Sequence, residues 1–205
     1  AGTTTANDLS SPFNGRLYGS LTIDAGATLS VGTSGAYKLE AYGTVLNNGT
    51  ITQIGGSAPT FVLMGPSLVN NSSVSIDNLR INSTSTISGA GTFTGGLITI
   101  DTSGNVSLSS NVSFSTSTGF NINAGGVFNP NGFTFTQTSG TFTIFSGGTV
   151  TNSGTYRTQG TVALNLRTGS NFNAPLKVNT GTTTANDLSS PFNGRLYGSL
   201  TVDAG

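Results

Sequence analysis

Seven carboxylates carry most of the acid–base and metal-binding capacity of this 205-residue chain: Asp8, Asp24, Glu40, Asp77, Asp101, Asp187 and Asp203. Histidine and cysteine are absent, which removes imidazole bases, thiolate nucleophiles, disulfides and zinc sites with nitrogen or sulfur ligands. None of the acids sits in an Asp-x-Asp cluster, so neither a calcium-loaded repeat rung nor an EF-hand loop is indicated. Glycoside hydrolysis needs two carboxylates flanking one bond. Asp77 and Asp101 are the best pair, because residues distant in sequence can meet across adjacent turns of a coiled chain. Each also has a plainer role, since Asp77 precedes Arg80 and Asp101 opens a turn at Thr102-Ser103-Gly104. The expectation is a chain that is not an enzyme and has no catalytic, metal or cofactor residue.

Binding chemistry is equally sparse. Arg16, Lys38, Arg80, Arg157, Arg167, Lys177 and Arg195 are scattered singly, and without a basic run to neutralise phosphates no nucleic-acid role is expected. Tyr37, Tyr42 and Tyr156 could offer ring faces to sugars, although tyrosine at a strand position is more often half-buried packing. Sequons at Asn48, Asn70, Asn71, Asn82, Asn105 and Asn111 are what chance gives in a chain rich in Asn, Ser and Thr, and carry sugar only in a host with the machinery. No apolar run approaches the roughly 18 residues of a membrane-spanning helix, so no membrane segment is expected in this stretch.

Only 7% of residues are charged and the net charge is zero, against about 25% charged in ordinary globular chains. Disorder is not the consequence, because β-branched and aromatic residues alternate along the whole length. Runs such as Leu21-Thr22-Ile23, Phe61-Val62-Leu63, Ile98-Thr99-Ile100 and Phe142-Thr143-Ile144 read as short strands between Gly, Asn, Ser and Pro. These strands fall in triplets that begin roughly 20 residues apart, as in Leu39, Val45, Ile51, then Phe61, Leu68, Val74.

Such spacing predicts an all-β chain wound as a right-handed parallel β-helix, a β-solenoid of three-sided coils, with about nine coils per 179 residues and an axial rise of about 43 Å. The right-handed sense follows from the variable steps, which lack a strict hexapeptide period. An all-β sandwich is the main rival. Phe-rich coils from Phe114 to Phe145 predict an internal aromatic stack. Asn121, Asn123, Asn129, Asn131, Asn152, Asn171 and Asn173 are candidates for amide ladders between coils. Pro12, Pro191, Asn14-Gly15 and Asn193-Gly194 predict a loop before Arg16 and over 179–195.

Gly2 to Gly26 recurs as Gly181 to Gly205 with Val202 for Ile23 as the single change, an offset of 179 residues. Residues 1–179 therefore read as one full tandem module and 180–205 as the start of the next, continuous with the first. Neither end carries a charged cap, so the array is expected to extend both ways. The rungs Gly19 to Gly32, Gly96 to Asn111 and Gly147 to Leu164 resemble the β-strand repeats of large bacterial surface adhesins and autotransporter passenger domains. That resemblance implies an extracellular or cell-surface fibre. Its partners would be adjacent repeats, neighbouring fibres, or a surface, matrix or cell-surface glycan. Two other readings stand beside it: an ice- or ordered-surface-binding solenoid, for which Thr134-Phe135-Thr136 and Thr141-Phe142-Thr143 are expected in adjacent coils, and a carbohydrate-active β-helix enzyme.

Overall fold

Alternation of apolar and hydroxyl residues drives each short segment into a strand with one face inward. Thr84–Ser88, for instance, alternates outward Thr84, Thr86 and Ser88 with buried Ser85 and Ile87. The computed structural model describes residues 3–6, 14–32, 37–54, 58–151, 153–187, 195–196 and 198–203. Among them there is no helix, and every strand pairing is parallel. Parallel pairing between segments about one coil apart excludes the antiparallel sandwich and builds a β-solenoid of about eight turns.

Three faces run along the axis. The first holds Thr3–Ala6, Thr28–Val31, Thr50–Gln53, the opening halves of five long strands, then Leu176–Thr180 and Leu200–Val202. The long strands are Ser73–Ile81, Thr92–Ile100, Val112–Ile122, Thr134–Ile144 and Thr155–Leu166, and each bends over a corner into the second face. That face begins with Asn14–Leu17, Lys38–Ala41 and Thr60–Leu63 and continues to Thr183–Asp187. The third runs from Leu21–Ile23 through Val45–Asn47, Ser67–Asn70, Thr84–Ser88, Asn105–Leu108, Val127–Asn129, Thr149–Val150 and Asn171–Phe172 to Arg195–Leu196.

Corners between the second and third faces are stacked tight turns, closed by Gly104 N to Asp101 O, Gly126 N to Asn123 O and Gly148 N to Phe145 O at 2.8–2.9 Å. Gly125 and Gly147 hold φ of +80° in them, a backbone region that only glycine enters without strain. Inside, Phe93, Phe114, Phe135 and Tyr156 stack coil on coil, with centroid separations of 4.6, 5.0 and 5.3 Å between successive rings. Phe120, Phe128, Phe142 and Phe172 pack beside them, and all eight rings are buried. The expected aromatic stack is thus present but its bounds differ. Phe93 begins it, and Phe145 lies outside it on a turn, under the Arg167 guanidinium at 5.3 Å.

Several expectations need correction. Coils run from 18 residues, between paired Thr60 and Asn78, to 25, between Thr3 and Thr28. Their mean therefore exceeds 20, which gives about eight turns, close to the nine expected. Asn14-Gly15 is not a turn but part of a strand, paired with Lys38 and Leu39. Thr183–Asp187, expected to be irregular, pairs with Val162 to Leu166. Pro12, Pro191, Asn152 and Asn193-Gly194 lie outside the described residues.

Candidate functional site

Asp77 and Asp101 do not meet. They stand at opposite ends of the second-face strand, because Asp101 follows Ile100, whose partner is Ile81, while Asp77 precedes Asn78. Five residues of strand separate them, about 16 Å at 3.3 Å per residue, beyond the roughly 5–9.5 Å of glycosidase pairs. Both are occupied in latching coils together. Asp101 is buried and takes Arg80 Nε at 2.9 Å, Arg80 Nη2 at 2.7 Å and Asn123 Nδ2 at 3.1 Å. Asp77 accepts Gln53 Nε2 at 2.7 Å and returns its own backbone N–H to Gln53 Oε1 at 2.7 Å. Arg80 therefore pairs with the acid one coil on, not with the one three residues before it. An open polar groove of about 370 Å³ runs over this part of the second face, lined by Thr60, Asn78, Arg80, Thr99, Asn121 and Asn123 among others.

Among the described residues the densest charge cluster lies two coils before Arg80 on the same face. Glu40, with its side chain 8% exposed, receives Lys38 Nζ at 2.6 Å, Arg16 Nε at 3.1 Å and Tyr42 Oη at 2.9 Å. Burial pushes the Glu40 carboxyl up, but the hydrogen bonds from Lys38, Tyr42 and Arg16 outweigh it and hold the group below the usual carboxylate range. Tyr42 also stacks on Tyr18 at 5.1 Å. Tyr18, absent from the sequence-based candidates, is 70% exposed. Its signal was available: Arg16-x-Tyr18 and Glu40-x-Tyr42 share one parity and lie one coil apart. Tyr156 is closed to any sugar, being buried within the aromatic stack, and Asn70 is likewise buried and closed to glycosylation.

The first face carries the most regular surface chemistry, and sequence reasoning located it wrongly. Thr134 to Thr136 and Thr141 to Thr143 belong to one strand, Thr134–Ile144, on either side of a corner, so they share a coil and face different ways. The hydroxyl array instead follows the pairing register. Thr28, Thr50, Ser73, Thr92, Ser113 and Thr136 form one column. Ser30, Thr52, Ser75, Thr94, Ser115 and Ser139 form a second beside it. Six successive coils thus present twelve hydroxyl residues and no charge, until Arg157 and Lys177 end the first column. Spacing is about 4.8 Å along the axis and about 6.7 Å between columns. Thr92, Thr94 and Ser115 are exposed, most of the rest are half-exposed, and Ser30 alone is buried. The six threonines among them are β-branched and stiff at χ1, and the rows keep a two-residue spacing until the register shift that brings Ser139 beside Ser115. Among the described residues the second and third faces have no equivalent, since their outward columns mix Glu40, Val62, Arg80 and Asn121, or Leu46, Val69 and Ser88.

Amide ladders exist, but on other asparagines. Asn47 Nδ2 donates to Asn70 Oδ1 at 2.8 Å inside the coil, while Asn71 to Asn48 and Asn186 to Asn165 form similar bonds at 2.8 and 2.9 Å. Asn129 instead accepts from Thr151 and Ser153 of the next coil. Among the described residues no group of three or more His, Cys, Asp or Glu is gathered for a metal ion, and no helix is long and apolar enough to cross a membrane. No protein-family model matches the chain, and no curated protein or solved structure is significantly similar to it.

Proposed function

We propose that the chain is a structural tandem-repeat module, with the opening of the next, from a long bacterial extracellular fibre or surface adhesin that acts as a stiff stalk and an adhesive surface. One observation carries this reading: the second copy stacks directly on the first module, Thr183–Asp187 on Val162 to Leu166 and Leu200 to Val202 on Leu176 to Val178. Each interior coil shares its backbone hydrogen bonds with both neighbours, so bending the rod breaks bonds on both sides of the bend. Low charge leaves little repulsion between modules. The uncharged hydroxyl strip favours a neutral, hydroxyl-rich partner such as a glycan surface. Electron microscopy of the parent protein tests the proposal. Thin rods with an axial repeat near 40 Å support it, and compact particles overturn it.

The same strip favours a second reading, binding to ice or another ordered lattice, because its hydroxyls repeat at fixed intervals in two directions. Thermal hysteresis in solutions of the chain separates that reading from the first. The enzyme reading loses its best pair with the separation of Asp77 and Asp101.

A further inference from the structure

Copies of one sequence occupy different faces of this solenoid. Thr3–Ala6 lies on the first face, whereas Thr183–Asp187, which overlaps its copy, lies on the second. Asn14–Leu17 lies on the second face and Arg195–Leu196 on the third. Leu21–Ile23 lies on the third and Leu200–Val202 on the first. All three segments move one face onward in the winding direction. The third-face sheet of nine strands runs from Leu21–Ile23 to Arg195–Leu196 in eight steps, and Leu200–Val202 lies one face beyond. The 179-residue module therefore contains eight and one third turns, with a rise of about 40 Å.

We infer that the tandem array is a screw in which each module is turned by one face from the one before, so that the hydroxyl strip climbs the fibre as a staircase, visits all three sides, and returns to the same side every third module. The purpose rests on the fibre reading above; the geometry does not. Within one module the strip spans the first face from Thr28 to Thr136. After the interruption at Arg157 and Lys177, Thr184, the copy of the Thr5 that precedes Ser30 in the second column, lies exposed on the second face beside Ala163. A staircase of this kind is an interaction surface without a preferred side, fitted to a neutral hydroxyl-rich partner that can approach from any direction. The full period is about 120 Å, three modules or 25 turns.

The cysteine-free chain allows a direct test by paired cysteines, because the spacing of neighbouring parallel strands lies within disulfide reach. In the screw, Asn165 neighbours Asn186 and Lys177 neighbours Thr201. If the module were a whole number of turns, Arg195 would take the place that Arg16 holds on the second face, in the column leading to Asn165. Thr201 would then lie on the third face, in the column of Leu46 and Val69 and away from Lys177. Three variants of the full 205-residue chain are compared after mild oxidation: N165C/N186C, K177C/T201C and N165C/R195C. The first two are expected to crosslink nearly completely and the third at background, as read by mass spectrometry after proteolysis. Crosslinking of 165–195 in preference overturns the screw, and so does failure of all three. Because the readout is geometric, loss of surface binding in another assay would damage the adhesive reading and leave this result standing.

Discussion

Replacing Phe135 by alanine should cost more than any other single truncation in the molecule. The ring is fully buried and touches five other aromatic rings: Phe114 at 5.0 Å, Phe120 at 5.1 Å, Phe128 at 5.0 Å, Phe142 at 5.8 Å and Tyr156 at 5.3 Å. Truncating a buried Phe to Ala costs about 3–5 kcal/mol through lost transfer energy and an incompletely collapsed cavity. Aromatic pairs add about 0.5–1.5 kcal/mol each beyond their area, though not additively, which places this site in the upper half of that range. Phe145→Ala is the matched control, since its ring lies on a turn against Arg167 and its loss should cost about 1 kcal/mol or less. Urea unfolding followed by circular dichroism gives the two midpoints. Hydrogen exchange should locate the damage in the coils on either side of Phe135, because solenoid stability is a sum of local and nearest-neighbour contributions. Phe135→Leu provides a folded intermediate if the alanine variant does not fold. Equal costs for Phe135→Ala and Phe145→Ala would refute the assignment of the alternating phenylalanines to one continuous interior.

Asn70→Ala removes a buried amide that accepts from Asn47 and donates to Thr92 O at 3.0 Å. Leaving these groups unpaired should cost about 1–3 kcal/mol, whereas Asn71→Ala in the exposed ladder should stay within about 0.5 kcal/mol on the same urea curves. Tyr156 is buried and donates its Oη to Gln137 Oε1 at 2.9 Å, and burial raises its phenol well above the ordinary value. Stability tied to it is therefore complete below about pH 10, the unfolded value, and declines at higher pH. Its phenolate absorbance should appear only together with loss of the far-ultraviolet β signal, and ionisation in the folded state would contradict its burial. Glu40 has the opposite sign, since its carboxyl is held below the ordinary value. Its contribution is present above about pH 4.3 and is lost as pH falls through the lower folded value, so Glu40→Gln should flatten the acid limb of the stability curve.

Strand alternation and coil spacing were legible because burial inside a solenoid imposes a period of two on each face and a recurrence once per coil. Coil number was less legible, since corners absorb extra residues without changing the strands. The hydroxyl strip was hidden for a related reason. Thr-x-Thr motifs in sequence mark parity but not face, and Thr134–Ile144 shows two of them separated by a corner. Only the pairing register, Thr50 to Ser73 to Thr92, brings hydroxyls of different coils into a column. The charged latches were hidden similarly. Arg80 has an acid three residues before it in Asp77, yet the stacking register delivers Asp101.

A fractional turn count also bears on which surface reading suits an array. Were the module a whole number of turns, every hydroxyl strip would lie on one side, and a long array could rest all its strips on one flat lattice. With one face of rotation per module, a flat surface touches the strips of one module in three, spaced about 120 Å apart. Multivalent gain along a plane falls accordingly, because each further contact must be reached over a longer span. A mesh of glycan chains that surrounds the fibre loses nothing by the rotation. The geometry thus favours partners that envelop the rod over those that present a single plane, and binding to soluble neutral polysaccharide should exceed binding to a flat film of the same polymer as modules are added.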